Sequence, residues 1–506
     1  MALSCATMGT MKKKVLLCVL DGFGHGEDYE GNAILRANAP FLAQLREDYP
    51  WTLLDASGES VGIPAGTQGG SEVGHLTMGA GRVVLQPLQM IDKSIETGEF
   101  FKKPELLEAA SYAKENDSAF HILGMISDQG IHADLDHALA LLDFAQKQGL
   151  NKVFVHGITD GRDVSPKSVK GFIETLEAHL EKTGGVLASL IGRFYSMDRD
   201  TNEERTKKGF NLMVKGEGEI FSSAFAAIDS AYASGLESDY YLEPVLLDEA
   251  GLIKKEDVVV FFNFRTDRAA QLTEMLIRDL GPHMVLFGAY SEKAPNVFPP
   301  QSVEQNLGSI VAKNGLKQLR IAETEKFAHV TFFFNSQDKD PYDGEDRIMV
   351  QSPKVASYAE KPEMSAVEVT DKLLPKLKEE YAFIALNFAN LDLVGHSGSF
   401  DATVKAVEII DESLARIVPS ALENGYTVLI TGDHGNAEYM KYEDGSDCPS
   451  HTRNPVPLFV IGAENSELKC ESHTAAAGGL QDIAPTILAL MGLDQPEVMT
   501  GKNLLK

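Results

Sequence analysis

Asp21, Ser71, Asp392, His396, Asp433, His434 and His451 are far apart in this chain, yet several share one setting, just after a short apolar run. Asp21 follows residues 15 to 20 and opens Asp21-Gly22-Phe23-Gly24, and Asp433-His434-Gly435-Asn436 repeats that setting after residues 426 to 430. One Asp-Gly by itself is ordinary turn chemistry. Two such strand ends, one placing a carboxylate beside an imidazole, point instead to a metal site. Asp392 and His396 are four apart, which puts both on one face of a helix, although Gly395 and Gly398 suit a loop equally well. His451, in Ser450-His451-Thr452, reads as a loop residue until the rest of the group gives it weight. Carboxylates with neutral imidazoles suit Mn²⁺, Mg²⁺, Zn²⁺ or Fe, and the donor types do not choose among these.

Asp21, Asp392 and Asp433 bring three negative charges against the four of two divalent ions, leaving an attraction for a phosphoryl group. A serine alkoxide would cancel the remaining charge. Ser71 lies in Gly69-Gly70-Ser71-Glu72-Val73-Gly74-His75, where a tight turn and free backbone N–H groups suit an anion; the ordinary alternative is a surface loop with a helix cap. A bound metal lowers the pKa of a hydroxyl, so such a serine can attack phosphorus at neutral pH.

The middle of the chain carries a different chemistry. Asp128, His132, Arg162, Asp163, Arg193, Arg199, Arg265 and Arg268 also follow apolar runs, and guanidinium groups bind carboxylate and phosphate through paired hydrogen bonds. Any one of these arginines could belong to a solvated surface. Several strand ends carrying them in so acidic a chain predict a local anion site.

These residues need a frame. Apolar runs at 15 to 20, 120 to 126, 153 to 158, 187 to 191, 258 to 264, 284 to 289, 383 to 388, 426 to 430 and 457 to 461 read as buried strands. Helical patterns lie between many of them, among them Asp134 to Lys147, Pro166 to Lys182, Ala366 to Lys378 and Thr403 to Glu423. This alternation predicts parallel α/β sheets, whose ligands bind beyond the carboxyl ends of the strands. Metal-type ends in the outer parts and anion-type ends in the middle predict two doubly wound α/β domains. One is discontinuous, residues 1–86 and 300–506, and the other, 88–298, is inserted, with Gln86-Pro87 and Phe298-Pro299-Pro300 as crossing points.

At 506 residues, 43% hydrophobic and 24% charged, the chain is long enough for two or three folded domains. A net charge of −28 works against sequence-independent nucleic-acid binding. Nothing approaches the roughly 18 to 20 apolar residues of a membrane-spanning helix. The start holds only Lys12, Lys13 and Lys14 as charges and lacks the apolar core of a signal peptide, so the cytoplasm is the expected location. Cys5, Cys18, Cys448 and Cys470 show no Cys-x-x-Cys spacing, and no disulfide is expected.

The ordered set of motifs resembles the cofactor-independent (2,3-bisphosphoglycerate-independent) phosphoglycerate mutases of the alkaline phosphatase superfamily. The resemblance rests on Leu20-Asp21-Gly22-Phe23-Gly24, Ser71-Glu72-Val73-Gly74-His75, Ser127-Asp128-Gln129-Gly130-Ile131-His132 and Asp160-Gly161-Arg162-Asp163. It continues through Asn263-Phe264-Arg265-Thr266-Asp267-Arg268, Ala322-Glu323-Thr324-Glu325-Lys326 and Asp433-His434-Gly435-Asn436-Ala437-Glu438 to Thr500-Gly501-Lys502. It implies a phosphatase-like metal domain split around a transferase domain. One metal would be held by Asp392, His396 and His451, the other by Asp21, Ser71, Asp433 and His434, with Mn²⁺ the usual ion. His132, Arg162, Asp163, Arg193 and Arg199 would meet glycerate, and Arg265, Arg268 and Lys326 the phosphoryl group.

The implied activity interconverts 3-phosphoglycerate and 2-phosphoglycerate through a phosphoserine on Ser71, without 2,3-bisphosphoglycerate, with Asp163 moving the hydroxyl proton and domain closure excluding water. A monomer acting on a small molecule is expected, with no nucleic-acid or membrane partner. Gly70 stands where the family more often has Asn, and Leu391 where it has Pro. One rival is another metal-dependent phosphatase or phosphomutase of the superfamily; the other is a protein that closes on an anion without reacting. The first lacks a use for the arginines that would clamp a small acid, the second for a serine beside two metals.

Overall fold

The structure, a computed structural model, describes residues 14–299, 301, 303–463, 468–469 and 472–506. The start before Lys14, Cys5, Cys470 and Pro300 lie outside the described residues. The strands in chain order are β1 (Lys14–Leu20), β2 (Trp51–Asp55), β3 (Phe120–Ile126), β4 (Val153–Thr159), β5 (Val186–Gly192), β6 (Glu219–Ile220), β7 (Val245–Leu246), β8 (Val258–Phe261), β9 (His283–Leu286), β10 (Lys317–Glu323), β11 (Glu345–Val350), β12 (Tyr381–Phe388), β13 (Tyr426–Thr431), β14 (Val456–Ile461) and β15 (Ala476–Gly479).

They belong to two compact units: one formed by the chain up to Leu85 together with its C-terminal part to Lys506, the other by Gln86–Gln301. In the first, the sheet order is β11-β10-β12-β1-β13-β14-β2-β15. Its centre, β10-β12-β1-β13, is parallel. Leu16, Cys18 and Leu20 of β1 pack on one face with Leu414 and Ile417, while Val15, Leu17 and Val19 pack on the other with Ile483 and Ile487. Both faces of β1 are therefore covered by helices, and its whole run must be apolar. The second unit has the order β6-β7-β5-β4-β3-β8-β9, parallel from β5 to β9 and also covered on both faces.

All nine apolar runs are strands, and the four helical patterns are helices at Leu135–Lys147, Val169–Thr183, Ala366–Lys376 and Phe400–Glu423. Two features differ from the expectation of purely parallel sheets. β14 is antiparallel to both β13 and β2, and β5 is antiparallel to β7. β10 also escapes the apolar pattern, because Gln318 and Arg320 sit mid-strand and fully buried. Gln318 donates to the Gly308 carbonyl at 2.9 Å and accepts from Arg320 NH2 at 2.8 Å; the guanidinium charge is met by Glu345 Oε2 at 3.9 Å and by the Phe334 and Phe383 rings, each 5.1 Å away, while its Nε and NH1 have no hydrogen-bond partner among the described residues.

Cys18, in β1, and Cys448 are buried free thiols. Among the described residues no helix is long and apolar enough to cross a membrane.

Candidate active site

In the unit built around β1, three adjacent parallel strands deliver their carboxyl ends to one place. β1 leads directly to Asp21; β12 leads into the helix Asn390–Gly395, which carries Asp392 in its first turn with His396 capping its end; β13 leads to Asp433 and His434. Gly22 is needed between them, since it has φ +78° and a Cβ there would lie 2.9 Å from the Asp392 nitrogen. The helix Ser71–Ala80 presents Ser71 as its first residue, where unpaired N–H groups favour negative charge. Gly70, its N-cap, is extended at φ −161°, and a Cβ there would find nothing nearer than the His451 ring at 3.9 Å. Nothing local demands glycine, so Gly70→Asn is expected to fold with stability within about 0.5 kcal/mol of the parent in a denaturant titration.

Ser71 Oγ lies 3.0 Å from Asp21 Oδ1 and 3.1 Å from His434 Nε2. Lys326, from the short helix after β10, reaches the same point: its Nζ is 2.6 Å from Ser71 Oγ, 2.7 Å from Asp21 Oδ1 and 2.6 Å from Asp392 Oδ2. Burial opposes charge on this amine, but Asp21, Asp392 and Asp433 outweigh it and hold the ammonium well above its usual range. Asp21 is held well below the usual carboxylate range, its burial outweighed by Lys326 and His434.

Two groups of ligand-type atoms result, Asp392 with His396 and His451, and Asp21 with Asp433 and His434, each with its donor atoms within 4.8 Å of one another. The first is a convergence of acceptors. His396 Nδ1 donates to the Pro449 carbonyl at 2.7 Å and His451 Nδ1 to that of Gly69 at 2.8 Å, so in the neutral rings both Nε2 atoms carry lone pairs. Those Nε2 atoms are 3.0 Å apart and 3.1 and 3.0 Å from Asp392 Oδ1. Such a cluster is satisfied by a cation, and backbone carbonyls that fix the outer ring nitrogen are how metal-binding histidines are oriented. In the second group, Asp433 Oδ2 is buried without a hydrogen-bond partner. The residues present fit two divalent ions.

The unit built around β3 holds the other set. Arg193, opening the helix after β5 and only 2% exposed, is gripped from three sides: NH1 lies 2.6 Å from Asp160 Oδ1 and 2.5 Å from Asp163 Oδ2, and NH2 donates to His132 Nε2 at 2.8 Å. Burial, with Arg193 and Arg265 nearby, pushes the His132 pKa down to about 4, so this ring is neutral. Since Nε2 accepts, Nδ1 carries the proton, and it has no partner. Arg199 and Arg265 are half exposed and both reach Asp267, at 3.4 and 3.1 Å, while Arg268 donates to the Met197 carbonyl at 3.2 Å. Arg162 is exposed, its guanidinium 5.9 Å from the Tyr240 ring centroid, and Asp128 is exposed. His132, Asp163 and Arg193 thus form one contact group; the other arginines stand by themselves or through Asp267.

Sequence reasoning quoted Asp160 within a motif without giving it a role. Fully enclosed, it accepts from Ser127 Oγ at 2.9 Å and from the backbone of Arg162 and Asp163 at 3.2 and 3.1 Å, besides binding Arg193. It therefore shapes the loop that carries Asp163. Asp160→Ala would leave a buried guanidinium half paired, and is expected to cost about 3 kcal/mol in urea unfolding. Glu438 was also missed; it ties Thr452 and Asn454, flanking the His451 loop, to the Asn436 amide. Asp160 directly follows β4, a position the sequence shows, whereas Glu438 lies seven residues past the end of β13 and carries no such signal.

The chain matches the metalloenzyme superfamily over residues 13–495. It is 45% identical over 513 aligned positions to the 2,3-bisphosphoglycerate-independent phosphoglycerate mutase of Clostridioides difficile, covering 98% of this chain and 99% of that one. The enzyme of the same name from Bacteroides fragilis is also 45% identical, over 98% of this chain and 100% of its own. The crystal structure of Leishmania mexicana phosphoglycerate mutase at low cobalt concentration aligns with a TM-score of 0.63 and 29% identity, over 99% of this chain and 98% of that one.

Proposed function

The chain belongs to the 2,3-bisphosphoglycerate-independent phosphoglycerate mutases, within the metalloenzyme superfamily, and from that premise we propose that it interconverts 3-phosphoglycerate and 2-phosphoglycerate by two phosphoryl transfers through Ser71. The observation that carries this reading is Ser71 Oγ, at a helix N-terminus and within 3.1 Å of Asp21, His434 and Lys326 at once. A phosphatase would use the same serine; the anion-binding residues of the second unit favour the mutase.

The enzyme depends on divalent metal, and the reading assigns one ion to Asp392, His396 and His451 and the other to Asp21, Ser71, Asp433 and His434, with Mn²⁺ as the ion. When bound, the ions supply positive charge that favours the serine alkoxide and offsets the charge of the phosphoryl oxygens. Lys326 Nζ, 2.6 Å from Ser71 Oγ, stabilises charge at the attacked phosphoryl group and is assigned to substrate binding with Arg265 and Arg268.

In the first transfer the bond from phosphorus to the C3 oxygen breaks as the bond to the Ser71 alkoxide oxygen forms, and the released oxygen takes from Asp163 the proton that Asp163 recovers in the second transfer. In the second, the C2 hydroxyl loses a proton as it takes the phosphoryl group back from Ser71. Asp163 is assigned that proton transfer, and Arg193, 2.5 Å from its Oδ2, holds the carboxylate in place. His132, with an unpartnered Nδ1–H, donates to the glycerate end together with Arg162, Arg193 and Arg199. The reading takes the protein as a cytoplasmic monomer acting on a small molecule.

The test is conversion of 3-phosphoglycerate by chelator-stripped protein, with and without Mn²⁺ and with no 2,3-bisphosphoglycerate present. Isomerisation restored by metal is expected. Free phosphate without isomerisation would make the protein a phosphatase, and binding without turnover would make it an anion-binding protein.

A further inference from the structure

His75 and Asn387 are both fully buried, and no step above uses either of them. His75 lies one helical turn after Ser71 on the helix Ser71–Ala80. Asn387 is the penultimate residue of β12, a polar side chain in an otherwise apolar strand end. Asn387 Nδ2 donates to Asp21 Oδ2 at 2.8 Å, which fixes the amide orientation, and the same nitrogen is 3.1 Å from His75 Nε2. A donor facing Nε2 makes that atom the acceptor, so the neutral ring carries its proton on Nδ1. Nδ1 lies 2.8 Å from the Ser71 carbonyl and 3.3 Å from Asp433 Oδ2, the carboxylate oxygen without a hydrogen bond. Every donor in this chain meets an acceptor only if the ring is the Nδ1–H form.

We propose that His75, held in its Nδ1–H tautomer by Asn387, is a positioning residue that links Asp21, Asp433 and the main chain of the nucleophile, and so sets the affinity of one metal group without touching the other. The inference rests on the metal assignment made above. One bridge spans both carboxylates of the Asp21, Asp433 and His434 group, and none of its hydrogen bonds reaches Asp392, His396 or His451, to which it is joined only indirectly, through Asp21 and Lys326. The helix is pressed close enough for this to be rigid, since a Cβ on Gly74 would lie 2.8 Å from the Asp433 carbonyl. The His329 ring packs over His75 with centroids 5.5 Å apart, closing the bridge from one side. Partners of this kind behind metal ligands typically change metal affinity about 10- to 100-fold when removed.

Two measurements decide it. ¹⁵N NMR of the imidazoles in the metal-free protein is expected to show His75 protonated on Nδ1; a proton on Nε2 would overturn the bridge, whatever the variants do. Mn²⁺ titration followed by EPR is then made in His396→Ala and His434→Ala backgrounds, which disable one group at a time. His75→Leu is expected to weaken the Asp21 group about 10- to 100-fold and the Asp392 group less than about threefold. His75→Asn, whose amide can stand in for the Nδ1–H, is expected to recover most of the loss. Unchanged affinity, or equal loss in both backgrounds, would overturn the proposal. If the parent protein binds no Mn²⁺ in either background, the metal assignment itself falls, while the tautomer result still stands or fails independently.

Discussion

Ser71→Ala is expected to lower turnover of 3-phosphoglycerate by at least about 10⁴-fold while keeping the fold and both metal groups, the Asp21 group holding Mn²⁺ through its three remaining ligands. The reason is local. Ser71 Oγ is the only atom lost, and Lys326 still bridges Asp21 and Asp392 at 2.7 and 2.6 Å, so the carboxylates keep their positions. Asp21 also remains anchored by Asn387. What disappears is the atom on which the phosphoryl group would rest between its two positions, and among the described residues no second hydroxyl is bonded to that lysine. A rapid-quench experiment with labelled substrate should trap a phosphoserine in the parent and none in the variant. Ordinary turnover by the variant would sink the covalent route.

Stripping the metal is expected to abolish turnover, and the affinity for returning Mn²⁺ is expected to rise roughly tenfold per pH unit from about pH 6 to pH 8. The sign follows from His434. Burial alone would lower its pKa, but Asp433, Asp21 and Asp392 outweigh burial and push it up to about 10 in the metal-free protein. The ring is therefore an imidazolium at neutral pH, whereas a metal takes the lone pair of the neutral ring. Each ion bound to this group expels a proton, so binding strengthens as pH rises and weakens as it falls. His396 is shifted upward too, chiefly by its hydrogen bond to Asp392. For a histidine of ordinary pKa the slope would flatten above about pH 6.5. An affinity that does not change between pH 7 and pH 8 would contradict the account.

The parts of the fold legible in the sequence are those where burial on both faces leaves one solution. β1, β3, β4, β12 and β13 are mostly apolar because helices cover each side of them, with His121 in β3, His156 in β4 and Asn387 in β12 as buried polar exceptions. β10 was not legible, because Arg320 is buried mid-strand and is met there by Gln318, Asn335 and Glu345, of which Asn335 and Glu345 are brought close only by folding. The antiparallel β14 was hidden for another reason: an apolar strand reads the same in either direction. Glu438 and Asp160 were visible as acidic residues, but what they bind arrives from other loops.

The sequence by itself determined the chemistry available: which carboxylates, imidazoles, guanidinium groups and serine stand at strand ends, and hence a phosphoryl-transferring metalloenzyme as the expectation. That information is local, carried by residue type and by position relative to an apolar run. Tertiary structure alone decided which atoms meet. Lys326 is 255 residues from the serine it touches, and Arg193 sits between Asp160 and Asp163 rather than free to turn. The tautomers of His75, His132, His396 and His451 follow from partners on other elements, and a proton's place on a ring depends on three-dimensional neighbours rather than on spacing along the chain.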